Sequence, residues 1–98
     1  MKPVFIQAAA RQELHETTAW YREKNPHVAD RFVTEVYRTL EQIEKFPVTG
    51  KRIPHVISSA RRLPVARFPY YVVFEEFADR IEILAIAHNR RRPGYWHG

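Results

Sequence analysis

The densest run of chemically capable side chains in this 98-residue sequence is Ala87-His88-Asn89-Arg90-Arg91-Arg92-Pro93-Gly94-Tyr95-Trp96-His97. Imidazole, guanidinium, phenol and indole meet there where a strand becomes a loop. Guanidinium forks match phosphate or carboxylate bidentately, and Tyr or Trp can stack on a base or fill a pocket. Two readings apply to this segment. In one it is a basic face that meets a partner, with Arg90, Arg91, Arg92, Tyr95 and Trp96 as target-binding residues. In the other it is a solvated tail whose Tyr95 and Trp96 fold back onto the core. Both are expected to hold in part: the arginines face a partner while at least one aromatic packs.

The remaining candidates point away from small-molecule chemistry. A single histidine at a strand end, such as His88, is more often a hydrogen-bonded structural group than a general base. His15, His27, His55 and His97 are scattered, and cysteine is absent, so no ligand spacing for a metal exists. Glu75, Glu76 and Glu82 surround a turn and read as solvated or cross-strand partners of arginine, not as an acid/base pair. There is no glycine-rich phosphate loop and no nucleophile elbow. We therefore expect no cofactor, no metal and no small-molecule substrate.

Charge placement supports a macromolecular partner. The net charge is +5. Residues 1–50 hold seven Lys/Arg and seven Asp/Glu, whereas residues 51–98 hold nine and four. Residues 47–74 and 83–98 contain no carboxylate. Such segregation suits a polyanion or an acidic protein. No signal peptide is visible, and no apolar run approaches the roughly 20 residues that a membrane span needs. These features, with the lack of cysteine, fit a cytoplasmic protein with no membrane partner.

The elements that must position these groups follow from periodicity. The length suits one domain over residues 1–98, and 45% hydrophobic residues can build its core. Residues 3–6 form a short extended start. Residues 8–24 read as a helix with Ala10, Leu14, Thr17 and Tyr21 on one face. Asn25-Pro26 ends that helix and caps the next, because Asn is a good N-cap and Pro suits the first helical position. Ala29, Phe32, Val33, Val36, Leu40 and Ile43 make an apolar stripe on the second helix, which Pro47 and Gly50 end. The short joint predicts an antiparallel helical hairpin.

Residues 61–67 read as extended, with Pro64 demoting them to an edge or bulge. Residues 70–77 and 80–88 read as strands joined by a tight turn at Ala78-Asp79. The last strand is apolar at successive positions and is expected to be buried on both faces. The predicted class is α+β: a short N-terminal strand and a helical hairpin packed on a small, twisted, mainly antiparallel sheet.

One further pattern runs through Ala19-Trp20-Tyr21, Arg31-Phe32, Glu35-Val36, Leu40, Ile43, Phe46-Pro47 and Gly50. It continues through Arg62, Arg67-Phe68-Pro69-Tyr70, Val73-Phe74, Ile81, Ile83-Leu84-Ala85, His88, Arg91, Pro93, Tyr95 and Trp96. This resembles the RelE/ParE toxin superfamily, specifically its ParE-like plasmid stabilisation branch. The RFPY element and the AxxHxxRxPxYW ending are its specific parts. The resemblance implies the toxin of a type II toxin–antitoxin system, neutralised by a cognate ParD-like antitoxin.

Two targets follow from the resemblance. ParE-like members inhibit DNA gyrase by protein–protein contact, with no catalytic set. RelE-like members cleave mRNA on the ribosome without metal, which here would fall to His88, Arg67, Arg90 and Tyr95. A third possibility is a non-toxic antitoxin-binding module. The strand position that holds Arg in the RelE pattern is Tyr71 here, and the lysines of the preceding loop are missing unless Lys51 or Arg52 substitutes. Gyrase inhibition is the preferred expectation. Trp20, Tyr21, Tyr37 and Phe46 cannot all enter one core of this size. Trp20, Tyr21 and Tyr37 are therefore assigned to antitoxin binding, in a groove beside the hairpin and an exposed sheet edge.

Overall fold

A computed structural model describes residues 1–54 and 58–97. The chain runs β1 (Val4–Ile6), α1 (Ala8–Lys24), α2 (Pro26–Lys45), a 3-10 turn (Pro47–Thr49), β2 (Lys51–Arg52), β3 (Arg61–Pro64), β4 (Tyr70–Glu76), β5 (Ile81–His88) and a second 3-10 turn (Tyr95–His97). The strands form one sheet in the order β1-β5-β4-β3-β2. All neighbours are antiparallel except β1, which lies parallel to β5. The expected α+β hairpin-on-sheet architecture is the one observed.

The helical boundaries agree with the periodicity. The Asn25 side chain accepts a hydrogen bond from the His27 N–H at 2.9 Å, and Pro26 opens α2 without a wasted donor. Helix α2 buries Ala29, Phe32, Val36, Leu40 and Ile43, and also Glu35 and Thr39. Thr39 escapes an unsatisfied hydroxyl by donating to the Glu35 carbonyl at 2.8 Å. Helix α1 buries Ala10, with Leu14 and Tyr21 packed partly against the core.

Strand β5 is covered on both faces, as its continuous apolar run implied. Phe32, Val36 and Ile43 of α2 meet Val72, Phe74, Ile81, Ile83 and Ile86 on the helical side. Ile53, Ala60, Val73, Leu84, Ala85 and Ala87 form a second cluster on the other side, capped by Tyr95 and Trp96. The alternation of β5 is broken once. Val73 pairs with Ala85 and Phe74 with Ile83, so Leu84 is an extra residue. This β-bulge sends both Leu84 and Ala85 to the second cluster and returns Ile86 to the helical side.

Three details differ from expectation. The stretch read as extended over residues 61–67 is a strand only over Arg61–Pro64 and then turns, closed by the Phe68 N–H on the Val65 carbonyl. The strands flanking Ala78-Asp79 stop at Glu76 and restart at Ile81. The loop between them is closed by the Phe77 N–H on the Arg80 carbonyl at 2.8 Å, and by the Arg80 guanidinium over the Phe77 ring at 4.3 Å. Strand β2 has two residues, too few for an alternating pattern. The acidic residues near this turn are partners, as expected, although not only of arginine. Glu82 accepts from Gln7 and Arg80, which hold its carboxyl below the usual range; Glu76 pairs with Lys2, and Glu75 accepts from Ser59.

Gly50 precedes β2 beneath the fully buried Phe74 ring. A Cβ there would sit 2.6 Å from Phe74 Cε1, closer still to Cζ, and 3.2 Å from Arg61 Cβ. A ring held in a packed core yields little. Gly50→Ala is expected to destabilise the fold by about 1–3 kcal/mol in urea denaturation, the usual cost of overpacking. An unchanged midpoint would mean that Phe74 relaxes freely.

Candidate functional site

Two turns in the C-terminal segment decide where its side chains go. The Arg91 N–H donates to the His88 carbonyl at 3.0 Å, closing the first turn directly after β5. The second spans Arg92-Pro93-Gly94-Tyr95, closed by the Tyr95 N–H on the Arg92 carbonyl at 3.2 Å. Gly94 has φ 89°, so Pro and Gly occupy the two central positions that a type II turn favours. The chain thereby reverses and lays Tyr95 and Trp96, both half-buried, against the second cluster. Arg90, Arg91 and Arg92 stay exposed.

Glu13 of α1 is the anchor. One carboxylate oxygen accepts the Ile86 N–H at 3.0 Å, and the other accepts the Tyr95 hydroxyl. Helix, strand and C-terminal segment are thus tied by one side chain. Burial, reinforced by this bond, pushes the Tyr95 phenol well above its ordinary pKa. The Arg91 guanidinium stacks over the Tyr95 ring at 3.9 Å.

His88 ends β5 half-buried. Its Nδ1 accepts the Arg90 backbone N–H at 3.1 Å, which places the proton of the neutral ring on Nε2. Its ring lies edge-on to Tyr70 at 5.0 Å, and Tyr70 continues into a cluster with Tyr21, Phe32 and Phe68. The RFPY element sits beside this junction. Pro69 immediately precedes β4, and its carbonyl accepts the Asn89 N–H at 2.9 Å. Phe68 and Tyr70 pack against the core, and Arg67 is exposed.

Arg67 carries φ 70°, unusual for a residue with a Cβ, at the third position of the turn closed by Phe68 N–H on the Val65 carbonyl. Branching at Cβ makes that conformation harder still. Arg67→Val is expected to be less stable than Arg67→Gly by about 1–2 kcal/mol, measured as a shift in denaturation midpoint. Equal midpoints would show that the turn has relaxed.

Two concavities flank His88, Arg91 and Tyr95. One, of about 200 Å³, is lined also by Glu13, Glu16, Thr17, Tyr70 and Ile86. The other, of about 260 Å³, lies over the second face of the sheet and adds Arg62, Tyr71, Asn89, Arg92 and Trp96. Arg62 stacks over Tyr71 at 4.2 Å. Of the suggested nuclease set, His88 and Tyr95 share both hollows; the Arg67 and Arg90 side chains line neither. Glu13, Arg62 and Tyr71 complete the site without having been assigned to it from the sequence.

Of the residues assigned to antitoxin binding, Trp20 and Tyr21 are in edge-on ring contact at 5.1 Å, and Tyr37 lines a different groove. Trp20 is exposed, with Lys24 over its ring at 5.3 Å, whereas Tyr21 is half-buried in the aromatic cluster. Tyr37 is exposed elsewhere, in a groove with Val4, Ile6, Leu40, Glu41 and Glu44. Among the described residues, no group of three or more His, Asp or Glu could hold a metal ion, and no helix is long and apolar enough to cross a membrane. His55 lies outside the described residues.

Comparison with known families brings a match to the ParE toxin of type II toxin–antitoxin systems (parDE), over residues 4–93. The chain belongs to the ParE toxin family. A solved structure described as a chromosomal ParDE toxin–antitoxin system from P. aeruginosa has the same fold, with a TM-score of 0.77 at 20% identity. The alignment covers 90% of this chain and 96% of that one. A search of curated proteins found no match. The ParE family match runs from β1 through Pro93, so it takes in His88 and the arginines but stops short of Tyr95 and Trp96.

Proposed function

We propose that this ParE-family chain is a toxin that inhibits DNA gyrase through protein–protein contact made by its C-terminal basic face. The observation that carries this reading is the commitment of the proton-transfer candidates to structure. Tyr95 spends its hydroxyl on Glu13 and holds its proton tightly, and His88 Nδ1 is occupied by a backbone N–H. General catalysis wants groups that can exchange protons near the working pH, which the Tyr95 phenol does not. The exposed guanidiniums of Arg90, Arg91 and Arg92 form no ion pair among the described residues, so they remain available for a partner.

A cognate antitoxin is assigned to a different groove, which shares no lining residue with the two hollows at His88. Among the described residues, strand β1 is paired only with β5 and ends the sheet on that side. The groove of about 350 Å³ between β1 and α2, with Tyr37 exposed at its wall, suits an extended or amphipathic partner segment.

The test is direct. Purified toxin should inhibit supercoiling by gyrase in a defined assay, and His88→Ala should change that inhibition only in step with stability. Ribosome-dependent mRNA cleavage, reduced about 10²–10⁴-fold by His88→Ala, would replace this reading with the RelE-like one.

A further inference from the structure

We propose that the 260 Å³ hollow on the second face of the sheet is a socket for a carboxylate side chain of an acidic protein segment. It rests, for the identity of its partner, on the reading that this face meets a protein target. Three arginines, Arg62, Arg91 and Arg92, line the hollow, and among the described residues no acidic side chain does. None of the three is ion-paired among the described residues. By contrast Arg22, Arg38 and Arg80, elsewhere on the molecule, each meet an acidic side chain. Mutual repulsion of three like charges around one hollow is a cost to the fold that a bound anion relieves.

The stacking selects the class of anion. Arg62 lies over Tyr71 at 4.2 Å and Arg91 over Tyr95 at 3.9 Å. Each pairing fixes a guanidinium plane and leaves its N–H edge for bidentate bonds, the geometry that carboxylates match. It also covers a face of each tyrosine ring. Nucleobases bind single-strand readers by stacking on open aromatic faces, and these two are capped. Size argues in the same direction: pockets that engulf a drug-sized ligand run to about 300–1,000 Å³, so this one suits an inserted side chain.

The experiment uses the whole chain at low ionic strength, titrated with a blocked oligoglutamate peptide, an oligodeoxythymidine of equal charge, and inorganic phosphate. The readout is the NMR shift of the arginine Nε–Hε signals. Oligoglutamate should shift Arg62 and Arg91 saturably and leave Arg38 unmoved. Arg62→Lys keeps the charge but loses the fork, and should weaken peptide binding about tenfold or more. Arg92→Ala, which lies outside every strand, should weaken it as well and guards against misfolding of the Arg62 variant. Tighter binding of the oligonucleotide or of phosphate, equal peptide affinity in Arg62→Lys, or shifts spread evenly over all arginines would each overturn the socket. If wild-type toxin binds oligoglutamate but never inhibits gyrase, the socket stands and the gyrase reading falls. If folded Arg62→Lys loses the peptide yet inhibits gyrase fully, the socket falls as a target contact and the gyrase reading survives.

Discussion

Glu13→Ala is expected to remove about 2–4 kcal/mol of stability and most of the toxicity with it. The carboxylate satisfies two donors at once: the Ile86 N–H, two residues beyond the bulge in the most buried strand, and the hydroxyl of Tyr95. Alanine leaves the Ile86 N–H without its acceptor and unties the C-terminal segment from α1. Each orphaned buried donor costs about 1–3 kcal/mol, and domains of this kind have only about 5–15 kcal/mol in total. Glu13→Gln should fall between, since its amide oxygen can serve one donor while its NH₂ faces the other. Tyr95→Phe should cost less than Glu13→Ala, because the Ile86 bond survives. In a double-mutant cycle the two changes should couple by about 0.5–3 kcal/mol.

Alkaline pH gives an independent check of the same contact. The Tyr95 pKa is raised on folding. Its contribution is therefore complete below the ordinary tyrosine value of about 10 and is lost as pH climbs through the higher folded value. Wild type should lose stability in that window, and Tyr95→Phe should lose less. The decisive measurement is urea denaturation of wild type, the three single variants and the double variant at neutral and alkaline pH. A Glu13→Ala protein as stable as wild type would mean that water serves both donors and that the segment is not anchored.

The contrast between what periodicity revealed and what it hid follows from the range of the interactions. Helix α1, the Asn25 cap and the stripe of α2 are local, and each is legible because a helix repeats its environment every few residues. Continuous apolarity in β5 correctly implied burial on both faces, but the bulge at Leu84 scrambles which residue faces which layer, and nothing local to that strand announces it. Parallel pairing of β1 with β5 is a contact between chain ends. Glu13 was harder still, since its partner Tyr95 is 82 residues away. One signal was present: Glu13 lies one turn from Ala10 and Thr17, on the margin of the face that α1 buries, where a carboxylate needs donors. The exposed arginines Arg90, Arg91 and Arg92 were legible for the opposite reason. An exposed run of like charge needs no packing to be recognised.

Replacing Arg90, Arg91 and Arg92 together with alanine should weaken gyrase inhibition about a hundredfold while lowering stability by about 1 kcal/mol or less. The asymmetry comes from what each side chain touches. All three are exposed and none is ion-paired among the described residues. The turn bonds at Arg90, Arg91 and Arg92 are made by backbone atoms, which alanine keeps. Among the described residues the intramolecular loss is the Arg91 stack on Tyr95, worth about 0.5–1 kcal/mol at a surface. At an interface, arginines that dock bidentately are among the residues whose truncation costs most. The corresponding triple lysine variant separates charge from fork: it should recover the association rate, which long-range attraction sets, but not the full residence time. Supercoiling assays across salt, with circular dichroism to confirm folding, resolve the three proteins. A triple alanine variant that is folded and fully inhibitory would remove the basic face from the mechanism. Target recognition would then move to the helical hairpin, whose exposed Trp20 and Tyr37 would be the next residues to truncate.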